Sequence, residues 1–249
     1  MRIAILGNGR SGSSMLGMIL GSHPLIKDVG EAYNLFPKFI TKAKRDLIKK
    51  EGLCGVCGRQ CKEWGVNSFN LDGIIVDTSK IVSWFKRVED KNTKYIRLTR
   101  SVYDRLGSFK HKKGRITKEI VINWVKYEQQ ISNYLSKKQH FTVKYEELCQ
   151  KKGLHEICGF IGVTGSDSMW NFWETLHHPV RGNSLTNLLV RLKHGLVTFD
   201  ELKHKEIYFM NTIGFNVKYV DRTKHLDSSD LKLIGKYGGK AMNKEIGYC

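Results

Sequence analysis

Proline is scarce: the chain has three in 249 residues, at positions 24, 37 and 179. No Pro-rich or Ser-rich linker divides the sequence and no internal repeat is visible, so one unit over residues 1–249 is expected. Long apolar runs are also missing. None approaches the roughly 18 residues of a membrane-spanning helix, so no membrane partner is expected. The N-terminal MRIAIL meets a glycine turn too soon to form a secretory leader, which points to a cytoplasmic location. Acidic residues are in deficit, 24 Asp plus Glu against 42 Lys plus Arg, giving a net charge of +18. That balance favours anionic partners. The basic residues are spread along the chain, so nucleic acid is not expected as the main ligand. Six cysteines in a reducing compartment do not imply a disulfide framework.

Alternating short apolar runs and amphipathic stretches fill most of the sequence. Residues 2–6, 73–77, 94–99 and 140–144 read as strands. Helices are expected over 13–22, 31–50, 80–90, 101–112, 118–137 and 146–160, with shorter ones near 168–176, 186–194 and 198–213. Strand, turn and helix in repetition give an α/β fold: a three-layer, P-loop-like domain with a central parallel sheet flanked by helices. A basic, glycine-containing tail is expected from about 222 onward.

Gly7-Asn8-Gly9-Arg10-Ser11-Gly12-Ser13-Ser14 lies between the first strand and the first helix. Glycines permit a sharp turn there, and amides at the helix start then face an anion. Gly7, Gly9 and Gly12 satisfy the dinucleotide pattern G-x-G-x-x-G, which also wants an acidic residue about 20 positions on, closing a second strand. Glu31 has the distance, but after His23-Pro24 no strand is expected to carry it. Gly7, Gly12 and Ser14 also nearly match a nucleoside-triphosphate loop, yet its lysine is replaced by Ser13.

Arg10-Ser11-Gly12-Ser13-Ser14, followed by Leu16, Leu20 and His23-Pro24, resembles the 5′-phosphosulfate loop of sulfotransferases that use 3′-phosphoadenosine 5′-phosphosulfate (PAPS). Arg100 with Ser108 resembles the family's 3′-phosphate motif, although Ser101 stands where an Asp is common. Val143 to Leu148, His178 with Gly182 and Asn183, and Ile213-Gly214-Phe215 resemble further family segments, so the likeness runs from residue 2 to about 215. It implies transfer of a sulfuryl group from PAPS to a hydroxyl, with an amine as second choice, on a small-molecule, carbohydrate or peptide acceptor, leaving 3′-phosphoadenosine 5′-phosphate (PAP). It also implies that Arg10, Ser11, Gly12, Ser13, Ser14, Arg100, Ser108, Gly182 and Asn183 bind the nucleotide. The alternatives are a nucleotide- or nucleic-acid-binding module without catalysis, and a nicotinamide-dependent dehydrogenase reading the same glycines.

Catalysis would fall to Arg10, Lys80 and Glu31. Arg10 and Lys80 match cations beside the sulfuryl group. The histidine base of small-molecule sulfotransferases is replaced by Val82, whereas Glu31 resembles the glutamate that protein-tyrosine sulfotransferases carry after H-P. Burial that raises its pKa would suit Glu31 to the role. His177 and His178 are the reserves. Cys54, Cys57 and Cys61 carry metal-like spacings but supply three ligands where structural zinc needs four. No histidine lies nearby in sequence, Cys149 or Cys158 could fold back, and no metal is assigned. The ending Cys61-Lys62-Glu63-Trp64 resembles that of a Cys-rich insert in bacterial sulfotransferases.

Overall fold

The computed structural model describes residues 1–36, 38, 40–63 and 73–248. Trp64 lies outside the described residues. Among the described residues, five strands form one sheet: β1 (Arg2–Leu6), β2 (Ile26–Gly30), β3 (Ile74–Asp77), β4 (Lys94–Thr99) and β5 (His140–Lys144). Every pairing is parallel, in the order β2-β3-β1-β4-β5.

The alternation of side chains along β1 distributes the core. Ile3 and Ile5 point into one buried cluster, Ala4 and Leu6 into another. The first is covered by α1 (Ser13–Gly21), by α7 (Leu154–Ile161), by a 3₁₀ segment over Asp167–Glu174 and by α8 (Ser184–Lys193). The second is covered by α3 (Val82–Val88) and α5 (Lys118–Leu135). The expected three layers are therefore present. Among the described residues, no helix is long and apolar enough to cross a membrane.

Four local expectations need correction. The strand β2 is present although Ile26-Lys27-Asp28-Val29-Gly30 reads as polar, because Asp28 is buried and accepts from the Gly30 amide at 2.9 Å. The helix expected over 31–50 is a 3₁₀ turn, Ala32–Leu35, and α2 (Lys42–Glu51); Phe36 between them is extended, as the residue before a proline prefers. The helix over 146–160 is α6 (Tyr145–Leu148) and α7, separated by Lys151 and Gly153 at positive φ.

The expected basic tail instead folds as α10 (Ser228–Lys236) and α11 (Gly239–Glu245), which follow α9 (His204–Thr212). Ile234, Met242 and Ile246 are buried with Val102, Leu106 and Trp124, on α5 and on α4 (Val102–Lys113). Asp227 caps α10 by accepting from the amides of Ser229 and Asp230.

Candidate active site

The first loop, Glu31, Lys80 and Arg100 follow the carboxyl ends of β1, β2, β3 and β4, the edge where open parallel sheets bind ligands. Behind β1, the chain turns through Gly7–Gly12 into α1, with Gly12 in the left-handed region at φ 92°. A Cβ on Gly12 would meet the Tyr145 ring at 2.5 Å, so that position admits no side chain. The Ser11 amide bonds back to the Asn8 carbonyl at 3.1 Å, closing the turn. Asn8 in turn donates to Glu128 on α5 at 3.2 Å.

A crowd of cations meets this loop. Arg10 donates to Ser108 Oγ at 3.0 Å, and Arg100 donates to the Arg10 carbonyl at 2.5 Å. Arg100 is also held by Asp104 at 2.7 Å and lies 4.1 Å from the centre of the Tyr145 ring. Arg105 donates to the Gly9 carbonyl at 3.3 Å. Burial, then the charges of Arg10 and Arg100, bring Arg105 down to about 10. Guanidinium groups gathered this closely repel one another and gain from an anion. Ser11 Oγ and Arg105 Nη1 are buried without a hydrogen-bond partner among the described residues, so two donors at the loop can be satisfied by a phosphate. These features fit the 3′- and 5′-phosphates of PAPS.

Arg105 went unread in the sequence, although it faces the loop as directly as Ser108 does. Its signal is a second arginine five positions after Arg100, between Arg100 and Ser108. Arg10 was expected near the sulfuryl group; its side chain donates to Ser108, while its backbone carbonyl accepts from Arg100. Among the described residues, no bond or ion pair ties it to Lys80 or Glu31.

The second half of the site stands at the ends of β2 and β3. The register of β2 against β3 shifts between Asp28 and Gly30, a bulge that re-aims the chain before Glu31. Gly30 has φ 64°, and a Cβ there would lie 2.6 Å from the Val180 amide nitrogen. Lys80 donates to Glu31 Oε1 at 2.8 Å and to the Thr78 carbonyl at 3.0 Å. The Tyr127 hydroxyl on α5 bonds to the Lys80 carbonyl. Asn34 donates to Glu31 Oε2 at 3.3 Å, and Lys44 lies 3.6 Å from the same oxygen.

The expected direction of the Glu31 pKa is reversed by these partners. Burial alone pushes the carboxyl up, but the Lys80 ammonium, Lys44 and Asn34 outweigh it and hold Glu31 below the usual carboxylate range. Neither reserve base is available at this place. His177 is buried, bonds to the Phe172 carbonyl at 2.9 Å, and is lowered to about 4, first by burial. His178, expected near the nucleotide, lies beside the cysteines, with Nδ1 3.4 Å from Cys57 Sγ and 3.4 Å from Cys61 Sγ.

A third segment closes the ring. The Asn183 amide donates to Ser14 Oγ at 3.1 Å, and Gly182 packs against the same serine. The Asn183 side chain caps α8, accepting from Leu185 and Thr186, so it is its backbone that meets the loop. Val180 pairs with Gly30, taking the Glu31 amide at 2.9 Å. Arg10, Lys80 and Arg181 all have positive φ, at 70°, 69° and 65°, so non-glycine left-handed residues surround the site.

Two solved structures are similar to this chain, and both are sulfotransferase domains. One, from the curacin biosynthetic pathway, has a TM-score of 0.45 and 17% identity, with 94% of this chain and 96% of that chain covered. The other, from the Synechococcus PCC 7002 olefin synthase, has a TM-score of 0.44 and 16% identity, with 85% and 94% covered. No protein-family model matches the sequence, and no curated protein does. At these identities the likeness concerns the course of the chain alone.

The strand order also bears on the dinucleotide alternative. The strand β2 supplies the missing strand, with Glu31 immediately after its end. In the dinucleotide fold, however, the second strand neighbours the first, so its acid reaches a ribose held at the first loop. Here β3 lies between β1 and β2, and Glu31 is bound to Lys80.

Proposed function

We propose that this chain is a sulfotransferase that uses PAPS and delivers the sulfuryl group to an acceptor hydroxyl. One observation carries the reading: a phosphate-type loop with unpartnered donors and a half-buried lysine–glutamate pair share one edge of one sheet. PAPS supplies an activated sulfuryl group on a phosphate leaving group. The loop amides with Ser11, Ser13 and Ser14 hold the 5′-phosphate, while Arg100, Arg105, Arg10 and Ser108 hold the 3′-phosphate. Lys80 balances charge on the transferring oxygens. Glu31 takes the acceptor proton as the new S–O bond forms and the old one breaks, leaving PAP.

The low pKa of Glu31 fits this order of events. While Lys80 faces the carboxylate, Glu31 is a weak base. When Lys80 turns to an anionic donor, the largest of the interactions lowering the Glu31 pKa is withdrawn and the carboxylate becomes more basic. The pair is thus arranged to arm its base after the donor binds. Thermal stabilisation by PAP, set against AMP, NAD, ATP and an oligonucleotide, tests the reading directly. PAP should raise Tm most. An equal response to NAD would return the chain to the dinucleotide alternative, and a response to the oligonucleotide alone would favour the binding module.

A further inference from the structure

Cys54, Cys57 and Cys61 lie in a loop that lacks helix or strand of its own, yet Cys54 and Val56 are buried in the core. The fold brings His178 to this loop from more than a hundred residues away. The three Sγ atoms and one histidine nitrogen all lie within 4.8 Å of one another. In a tetrahedral zinc centre, metal–sulfur bonds of about 2.3 Å and a metal–nitrogen bond of about 2.0–2.1 Å place neighbouring ligand atoms about 3.5–3.8 Å apart. The two sulfur–nitrogen separations of 3.4 Å agree with that figure. None of the three thiols is in a disulfide.

The local backbone is also shaped for a thiolate. The amides of Val56 and Cys57 both point at Cys54 Sγ, at 3.4 and 3.3 Å. Cys54 pairs with Gly58 across the turn, and with Val180 two residues after His178. The Gly55 amide bonds to the Pro179 carbonyl at 2.8 Å, and the Arg181 amide bonds to the Leu53 carbonyl at 3.0 Å. The fourth ligand is therefore neither Cys149 nor Cys158: the sulfur of Cys149 lies by Tyr145 and that of Cys158 is buried on α7, so neither belongs to the group.

We propose that Cys54, Cys57, Cys61 and His178 form a structural Cys₃His zinc site. Three thiolates and one imidazole make a closed, soft donor set that selects zinc over hard cations and keeps no position open for a substrate. Binding releases the three thiol protons. The ion fastens the cysteine turn to the strand-like segment 178–181. That segment holds the Glu31 amide through Val180 and leads to Asn183 beside Ser14. The zinc thus sets the position of the wall from which Glu31 and Ser14 are addressed, without touching a reactant.

The test uses the full chain, purified under reducing conditions with neither a histidine tag nor chelator. Elemental analysis should find about one zinc per chain. After the metal is stripped, Co(II) should restore thiolate-to-cobalt charge transfer and the intense visible bands of a tetrahedral ion. His178→Cys should keep the metal as a four-cysteine site, whereas His178→Ala should lose the tetrahedral spectrum. A metal-free protein whose stripped form gives no thiolate band with Co(II) overturns the proposal, as does a spectrum unchanged in His178→Ala. A Cys57–Cys61 disulfide in protein isolated without zinc overturns it as well and leaves a redox-active loop instead. The Co(II) titration of the native sequence decides the matter even if a variant fails to fold. Since metal content does not depend on a nucleotide, failure of PAP to bind would leave the zinc assignment standing.

Discussion

Glu31 accepts from Lys80 and Asn34 with its two oxygens, and that pairing makes its behaviour measurable. The acid limb of kcat/KM reports the free enzyme, so it should fall below the ordinary carboxylate range, because Lys80, Lys44 and Asn34 together outweigh burial. The acid limb of kcat reports the loaded enzyme and should lie higher, because Lys80 is then engaged elsewhere. A pH–rate series measures both. A kcat/KM limb in the histidine range would remove Glu31 from the role of base. Glu31→Gln should leave PAP affinity near normal while transfer collapses. Arg105 permits a second test. Arg105→Gln relieves crowding among like charges, so it should leave thermal stability unchanged or raised while PAP binding weakens by roughly ten- to a hundred-fold. Titration calorimetry with the melting curve separates these two effects. Equal loss of stability and binding would make Arg105 part of the scaffold. Arg100 is a less clean probe than its place in the sequence suggests, since it also holds the Arg10 carbonyl, Asp104 and Tyr145.

At the scale of elements, β2 is the strand that hydrophobic patterning overlooked. Its buried Asp28 lies on the strand next to that of Asp77, and burial first, aided by the Asp77 charge, raises it from 3.8 to about 7. The folded chain therefore binds that proton more tightly than the unfolded chain, and stability falls as pH rises from about 4 to about 7. Asp28→Asn should raise Tm at pH 8, by the equivalent of about 1–3 kcal/mol, with the difference vanishing towards pH 4. Melting curves at the two ends of that window check it. No change at pH 8 would mean that Asp28 titrates normally. The strands β1, β3, β4 and β5 were legible because runs such as Ile3-Ala4-Ile5-Leu6 are apolar on both faces, as a covered parallel sheet requires. The phosphate loop was legible because its glycines and serines are contiguous. His178 was not, because its neighbours in space lie more than a hundred residues earlier, and the pKa of Glu31 depends on Lys44 and Asn34, which no motif marks.

The whole molecule depends on its last two helices. Lys110 on α4 is bound by Asp227 and Asp230, and Asn243 accepts from the Val102 amide at 2.8 Å, so α10 and α11 hold both ends of the helix that presents Arg105 and Ser108. Ending the chain before Ser228 removes Ile234, Met242 and Ile246 from the core, a loss on the order of 5 kcal/mol, comparable to the stability of an entire domain. The shortened chain should be insoluble or unfolded by circular dichroism, and a folded, PAP-responsive product would show these helices to be dispensable. A different consequence follows from the left-handed residues around the site. Each non-glycine residue in that conformation costs about 1–2 kcal/mol relative to the right-handed form, and glycine is free of the penalty. Lys151, at φ 57°, lies in the turn before α7 and bears none of the proposed roles, so Lys151→Gly should toughen the protein at no cost in turnover. Lys80→Gly relaxes the same strain but discards the ammonium. A laboratory lineage bred for heat resistance alone would take the Lys151 change first, because the Lys80 change also strips the half-buried Glu31 carboxylate of its ammonium partner.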